Sequence, residues 1–351
     1  MTATTETLQP PSVLSVAAVR RSAHARTLWT LVGVGLAALA ALCSVWLGSR
    51  GVSWSDVWAG LAGGRDTLGQ AAVAKRLPRT VLALAAGGAL GVSGAVMQGV
   101  TRNPLADPGI LGVNMGASLA VAVGIVYFNL TNPTSYIWVA IVGSAAAAVF
   151  VYIVGSLGRG GATPLKLALA GAATSAALVS FVTAVVLPRN DVAGTFQSWQ
   201  IGGVGGATWD KLATVSPFLA VGFVICTLSA HGLNSIALGD ELAAGLGENV
   251  MLTRTLSALG AVVLCGATTA VCGPIAFVGL VVPHACRLVL GPDYRWIIPM
   301  SAITGATLVA VSDTVGRVIA KPQEVDVGII TAIVGAPVFI WIVRRQKVRE
   351  L

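Results

Sequence analysis

Charge is what this chain has least of. Only 10% of its 351 residues are Asp, Glu, Lys or Arg, where a soluble domain carries about 25%. So few charges cannot coat a water-soluble protein of this length, which excludes an ordinary globular fold. No Gly-Lys pair occurs anywhere, so the Gly-x-x-x-x-Gly-Lys-Ser/Thr loop that cradles ATP phosphates is excluded. No His/Asp/Glu cluster, Gly-x-Ser-x-Gly stretch or metal-ligand spacing is present, which leaves an intramembrane enzyme without support. Cys43, Cys226, Cys265, Cys272 and Cys286 lack Cys-x-x-Cys spacing and lie in or beside apolar runs, so they read as small core residues. His231 and His284 stand singly, as structural histidines do. Strand-length alternation is also missing, which argues against a β-barrel.

What the chain has instead is hydrocarbon. Hydrophobic residues make up 55%, mean hydropathy is +0.83, and apolar runs of about 20 residues recur. The runs fall at 28–48, 80–100, 110–128, 137–156, 167–187, 213–231, 253–272, 275–290, 297–315 and 328–343, which predicts an all-α polytopic membrane protein with ten spans. The first run is too long for a signal-peptide core, roughly 7–15 residues, and no clean cleavage site follows it. Residues 1–27 are expected to be a mobile cytoplasmic tail, 28–345 the ten-span membrane domain, and 346–351 a second cytoplasmic tail. Small residues, 42 glycines among them, let helices approach closely in lipid, where packing holds them together. Trp46, Trp54, Trp58, Trp138, Trp199, Trp209, Trp296 and Trp341 mostly sit near run ends, as interfacial anchors do.

The +8 net charge is spread over span ends rather than gathered in one patch, so it does not point to nucleic acid. With the N-terminus inside, the cytoplasmic segments hold Arg20, Arg21, Arg26, Arg102, Arg159, Lys166, Arg254, Arg287, Arg295, Arg344, Arg345, Lys347 and Arg349. A shift of 175 positions aligns Arg79-Thr80 with Arg254-Thr255, Ala83-Leu84 with Ala258-Leu259 and Gly91 with Gly266. It sets an outer helix start against an inner one, as an inverted repeat requires, with spans two to five mirrored in seven to ten.

Five segments interrupt the apolar runs. Arg76-Leu77-Pro78-Arg79 opens the second run, with Pro78 expected in a first helical turn. Gln98 to Gly109, with two prolines and two glycines, is a tight inner loop. Gly273-Pro274 and Pro283-His284 bracket one short span, and short or broken helices at matching places in two halves mark a transport path. Asp313 and Arg317 sit at i,i+4, followed by Pro322-Gln323-Glu324-Val325-Asp326. Leu233 to Arg254 is polar and glycine-punctuated: Asp240 is expected to cap a short helix, Leu242 and Leu246 to share one face, and Gly247 to end it in a left-handed turn. A connection this long with its own helix reads as a docking element for a cytoplasmic partner.

Together the motifs Arg-Leu-Pro-Arg, Asn-Pro-Leu-Ala-Asp-Pro, Ala-Leu-Gly-Asp-Glu-Leu-Ala-Ala-Gly-Leu-Gly, Gly-Pro-Ile-Ala-Phe-Val-Gly-Leu-Val-Val-Pro-His and Gly-Ala-Pro-Val-Phe-Ile resemble the FecCD/BtuC-type permease subunits of iron-siderophore and vitamin B12 ABC importers. The resemblance runs from about Trp54 to Arg345. Val325-Asp326 departs from it, since such permeases more often read Glu-x-Pro there.

The resemblance implies ten spans per subunit in the bacterial cytoplasmic membrane. It implies a dimer with an identical or paralogous permease, and a transport path along the subunit interface. A cytoplasmic ABC ATPase dimer and an extracytoplasmic substrate-binding protein would complete the importer. This chain would bind no cofactor, ATP and Mg²⁺ being used by the ATPase. Asp240, Glu241, Ala244, Gly245 and Gly247 match the coupling helix that engages the ATPase. Asn103, Pro104 and Leu105, with Thr163, Pro164 and Leu165, would form the cytoplasmic gate. Arg76, Arg79 and Arg317 match outward-facing arginines that pair with carboxylates of the binding protein. The expected cargo is a ferric siderophore, with cobalamin or haem as alternatives. An ion-coupled secondary transporter is the rival mechanism, but only Asp313, near an outer end, approaches the deep ionisable residue it needs.

Overall fold

A computed structural model describes residues 23–130, 132–157 and 163–347. The tail to residue 22, Arg159 and residues 348–351 lie outside that description. The described chain is helical throughout: α1 (Ala23–Trp46), α2 (Trp54–Leu61), α3 (Leu68–Thr101), a 3-10 turn (Pro108–Leu111), α4 (Val113–Phe128), α5 (Pro133–Ser156), α6 (Pro164–Val186), α7 (Asn190–Ile201), α8 (Trp209–Leu228), α9 (Ala230–Ile236), α10 (Asp240–Gly245), α11 (Val250–Cys272), α12 (Val278–Leu290), α13 (Tyr294–Ile319) and α14 (Val327–Lys347). Seven helices are long and apolar enough to cross a membrane, and three shorter ones, α4, α12 and the Val327–Ile342 part of α14, supply the remaining spans expected from the sequence. Ala23 to Thr27, expected in the tail, already form the first turn of α1.

The central column is α3. Its 34 residues make a rod of about 51 Å against a hydrocarbon thickness of about 30 Å, so its first turns project from the outer face. Thr67 starts it by accepting from the Gln70 amide. Pro78 therefore lies inside the helix and not in its first turn, because the capping residue Thr67 stands well ahead of the apolar run. From Leu82 to Val100 most of α3 is buried, touching α11, α12 and α13. Two approaches permit only hydrogen as a side chain. A Cβ on Gly87 would strike the Gly305 carbonyl of α13, and one on Gly94 would strike the Gly279 carbonyl of α12.

The inverted repeat is legible in which helices touch. α3 packs on α13 as α11 packs on α5; α4 on α5 as α12 on α13; α5 on α6 as α13 on α14; and α3 on α12 as α11 on α4. α4 and α12, equivalent by the repeat, are both short and both follow an irregular segment. The second of these, Gly273 to Phe277, ends with Phe277 at φ 69° and an added Cβ on Gly335 would meet its ring, so α12 starts well inside the bundle.

Two outer helices escaped the sequence reading. α2 is capped by Ser53 and turns Trp54, Trp58 and Leu61 outward while burying Val57. Hydroxyls of Ser53 and Thr67 donate to Asp56, holding its carboxyl below the ordinary carboxylate range. α7 packs Phe196 beneath α4 and α6.

Candidate functional site

The outer ends of α1, α3 and α13 meet in a charged cluster. Arg79 of α3 donates through Nε to Asp313 of α13 at 2.9 Å and through Nη2 at 2.8 Å. Asp313 is fully buried and also holds Arg317 at 3.0 Å. The remaining edge of Arg79 reaches Glu324 at 2.6 Å, in the loop between α13 and α14. Asp326, two residues on, is pushed above the ordinary carboxylate range by partial burial.

Two of the three arginines expected to face outward do not. Arg76 is 7% exposed and donates to the carbonyls of Val45, Trp46 and Arg50. Arg317 is 2% exposed and donates to the carbonyls of Ser44 and Leu47 and to the Ser44 hydroxyl. Both guanidiniums are spent on the C-terminal end of α1, whose last carbonyls have no intrahelical partner and whose negative dipole end favours cations. Arg79 is the exception: its side chain is 14% exposed. Glu324 follows Arg317 closely in the chain, but only the fold sets it against Arg79, and Ser44 reaches the cluster from distant α1, so neither carried a sequence signal of this role.

On the inner face α9 and α10 form an elbow at Gly239, φ 112°, a conformation that only glycine adopts without strain. Gly239 is the N-cap of α10, and Asp240 is not a side-chain cap. Its carboxylate is instead taken by Arg254 of α11 through two hydrogen bonds of 3.0 and 2.8 Å. Arg102, at the end of α3, joins it at 3.2 Å. Asp240 thus ties the short helix to two spans at once. Ala243 is buried beneath α10, while Glu241, Leu242, Ala244, Gly245, Leu246 and Gly247 are exposed. A Cβ on Gly245 would meet nothing within 4 Å, and Gly247 has the expected positive φ. The outcome is a small apolar knob, Leu242 and Leu246 with flat Ala244-Gly245, on a charge-fixed base.

The two expected gate segments are built differently from each other. The Asn103 side chain accepts from the Leu105 amide at 2.9 Å, closing a tight turn after α3, with Leu105 half-buried. Thr163 caps α6, and Leu165 beyond Pro164 is 69% exposed. No hydrogen bond joins the two segments among the described residues.

The FecCD transport family profile matches residues 36–345. The chain belongs to the FecCD transport family. Among the relatives of this FecCD permease is a probable siderophore transport system permease, YfiZ of Bacillus subtilis, 41% identical over 88% of this chain and 93% of that one. The ferric enterobactin transport system permease FepD of Escherichia coli is 42% identical over 77% of this chain and 81% of that one. The hemin transport system permease HmuU of Yersinia pestis is 36% identical over 89% and 94%. A solved metal-chelate type ABC transporter in an inward-facing conformation superposes with TM-score 0.79 at 24% identity, over 91% of this chain and 99% of that one. The FecCD permease is therefore a transmembrane subunit of an ABC importer. It is not an enzyme, ATP hydrolysis residing in a separate chain. Membership in such a family implies an ATPase, a binding protein and a second permease as partners.

Proposed function

We propose that this permease moves a ferric siderophore across the bacterial cytoplasmic membrane, along the interface between two permease subunits. Cargo assignment leans on the relatives, of which YfiZ and FepD carry siderophore names. Haem is the second reading, supported by the hemin permease HmuU. Energy comes from a cytoplasmic ABC ATPase dimer that uses ATP and Mg²⁺. The observation that carries the mechanism is α10: an exposed apolar knob whose base carboxylate, Asp240, is held by Arg254 and Arg102. A force applied to the knob passes directly into α3 and α11. Glu241, Ala244, Gly245 and Gly247 complete the contact.

At the outer mouth the binding protein docks by its carboxylates. Arg79 is the arginine left to receive one, with exposed Arg50 and with Lys75 one helical turn earlier on α3 as neighbouring cations. At the inner mouth Asn103-Pro104-Leu105 and Thr163-Pro164-Leu165 close the path. The exposure of Leu165 favours closure against the second subunit. Uptake of ⁵⁵Fe-siderophore into proteoliposomes holding permease, ATPase and binding protein tests the cargo. Uptake of labelled haem with no uptake of any ferric siderophore would reassign it.

A further inference from the structure

Among the described residues, Glu324 is the one exposed carboxylate ion-paired to the outer arginine cluster. Its side chain is 37% exposed, whereas that of Asp313, on the other edge of Arg79, is fully buried. Asp313 is shared with Arg317, so a docking protein can neither reach nor displace it without breaking two buried ion pairs. Among the described residues, the Glu324 carboxylate is held by Arg79 Nη1 at 2.6 Å and by a 3.4 Å contact from the Ser49 hydroxyl. The Glu324 side of this pair is open to solvent, so the pair is worth less than the buried one that Asp313 makes.

We propose that Glu324 is a built-in stand-in for the binding protein's carboxylate, occupying Arg79 until docking displaces it. This rests on the docking role of Arg79 put forward above. The exchange conserves charge: one carboxylate leaves the Arg79 edge as another arrives, so the buried Arg79–Asp313–Arg317 core stays neutralised to the same extent. What changes is the loop. Residues 320–326 join α13 to α14, and Glu324 ties that loop to α3 and, through Ser49, to the α1–α2 connection. Displacing Glu324 frees the middle of the loop. Its far end stays anchored by the Val325 amide on the Gly316 carbonyl and by the Gly328 amide on the Gly202 carbonyl. Docking outside is thereby converted into slack between two spans of the second repeat.

The test is the affinity of the purified binding protein from the same transport system for the permease–ATPase complex in nanodiscs, measured at low and high salt. Glu324→Gln keeps the side-chain shape but removes the competing charge. It is expected to tighten binding about two- to fivefold at low salt. A nitroxide on Lys321→Cys is expected to become more mobile when the binding protein docks, and to be already mobile in the Glu324→Gln background. Unchanged or weaker binding by Glu324→Gln overturns the stand-in role, weaker binding meaning that Glu324 itself touches the partner. The docking reading is tested separately by Arg79→Gln. If that change leaves affinity and its salt dependence untouched, the docking role falls whatever Glu324 does.

Discussion

Arg317 takes both polar groups of Ser44, donating to its carbonyl at 3.0 Å and to its hydroxyl at 2.8 Å. The contact joins α13 to the outer end of α1, and Arg76 of α3 grips the same end through Val45 and Trp46. A motif that reads as an entrance rim is therefore in large part a clamp on α1, which with α8 lies outside both repeat halves.

The first prediction follows from that burial. Removing Arg317 strands buried Asp313 with one partner and leaves α1 carbonyls unsatisfied, so Arg317→Ala is expected to cost roughly 3–5 kcal/mol. Arg76→Ala, which breaks carbonyl contacts and no ion pair among the described residues, should cost about 1–3 kcal/mol. Thermal melts of the detergent-purified variants read this directly. Unaltered melting of both would show that the arginines are not what fastens α1.

Gly245→Arg tests the coupling surface. Among the described residues no other part of the fold lies within 4 Å of the added Cβ, so the permease should insert and dimerise normally. A long cation in the centre of the knob should nonetheless abolish co-purification of the ATPase. Retention of the ATPase at wild-type stoichiometry would move the interface away from α10.

The gate is tested by leak. With Leu105 and Leu165 both changed to Ser, liposomes containing the permease should pass water or small ions without ATP, because a dewetted apolar constriction becomes polar. Leu165, already exposed on the isolated chain, should show the larger effect in the dimer. Permeability equal to the wild type would place the constriction elsewhere.

Gly94→Ala probes the crossing of α3 and α12. The added methyl overlaps the Gly279 carbonyl, which is backbone and cannot swing aside. Overpacking of this kind costs about 1–3 kcal/mol or more, so a lower melting temperature and reduced uptake are expected. Gly245→Ala, in open space, serves as the matched control and should melt as the wild type does.

Membrane residence and the ten spans were determined by the sequence alone, while the inverted repeat, hinted at by a few aligned residues, became plain in which helices touch. The physical reason is local: lipid demands about 20 apolar residues per crossing, and that demand is written residue by residue. The position of the short inner helix α10 was equally legible, because Gly239, Gly247 and its acidic start stand out against an apolar background. The roles of charges were not. Arg76, Arg79 and Arg317 look alike in sequence, and only the fold decides that two are buried against α1 while the third bridges Asp313 and Glu324. Asp240 likewise changed from a cap to an ion-pair anchor once Arg102 and Arg254 came within reach. A hydrophobic run is a property of neighbours along the chain. A charge acquires its role from whatever the tertiary structure sets within about 4 Å of it, and for these residues the partners lie on other helices.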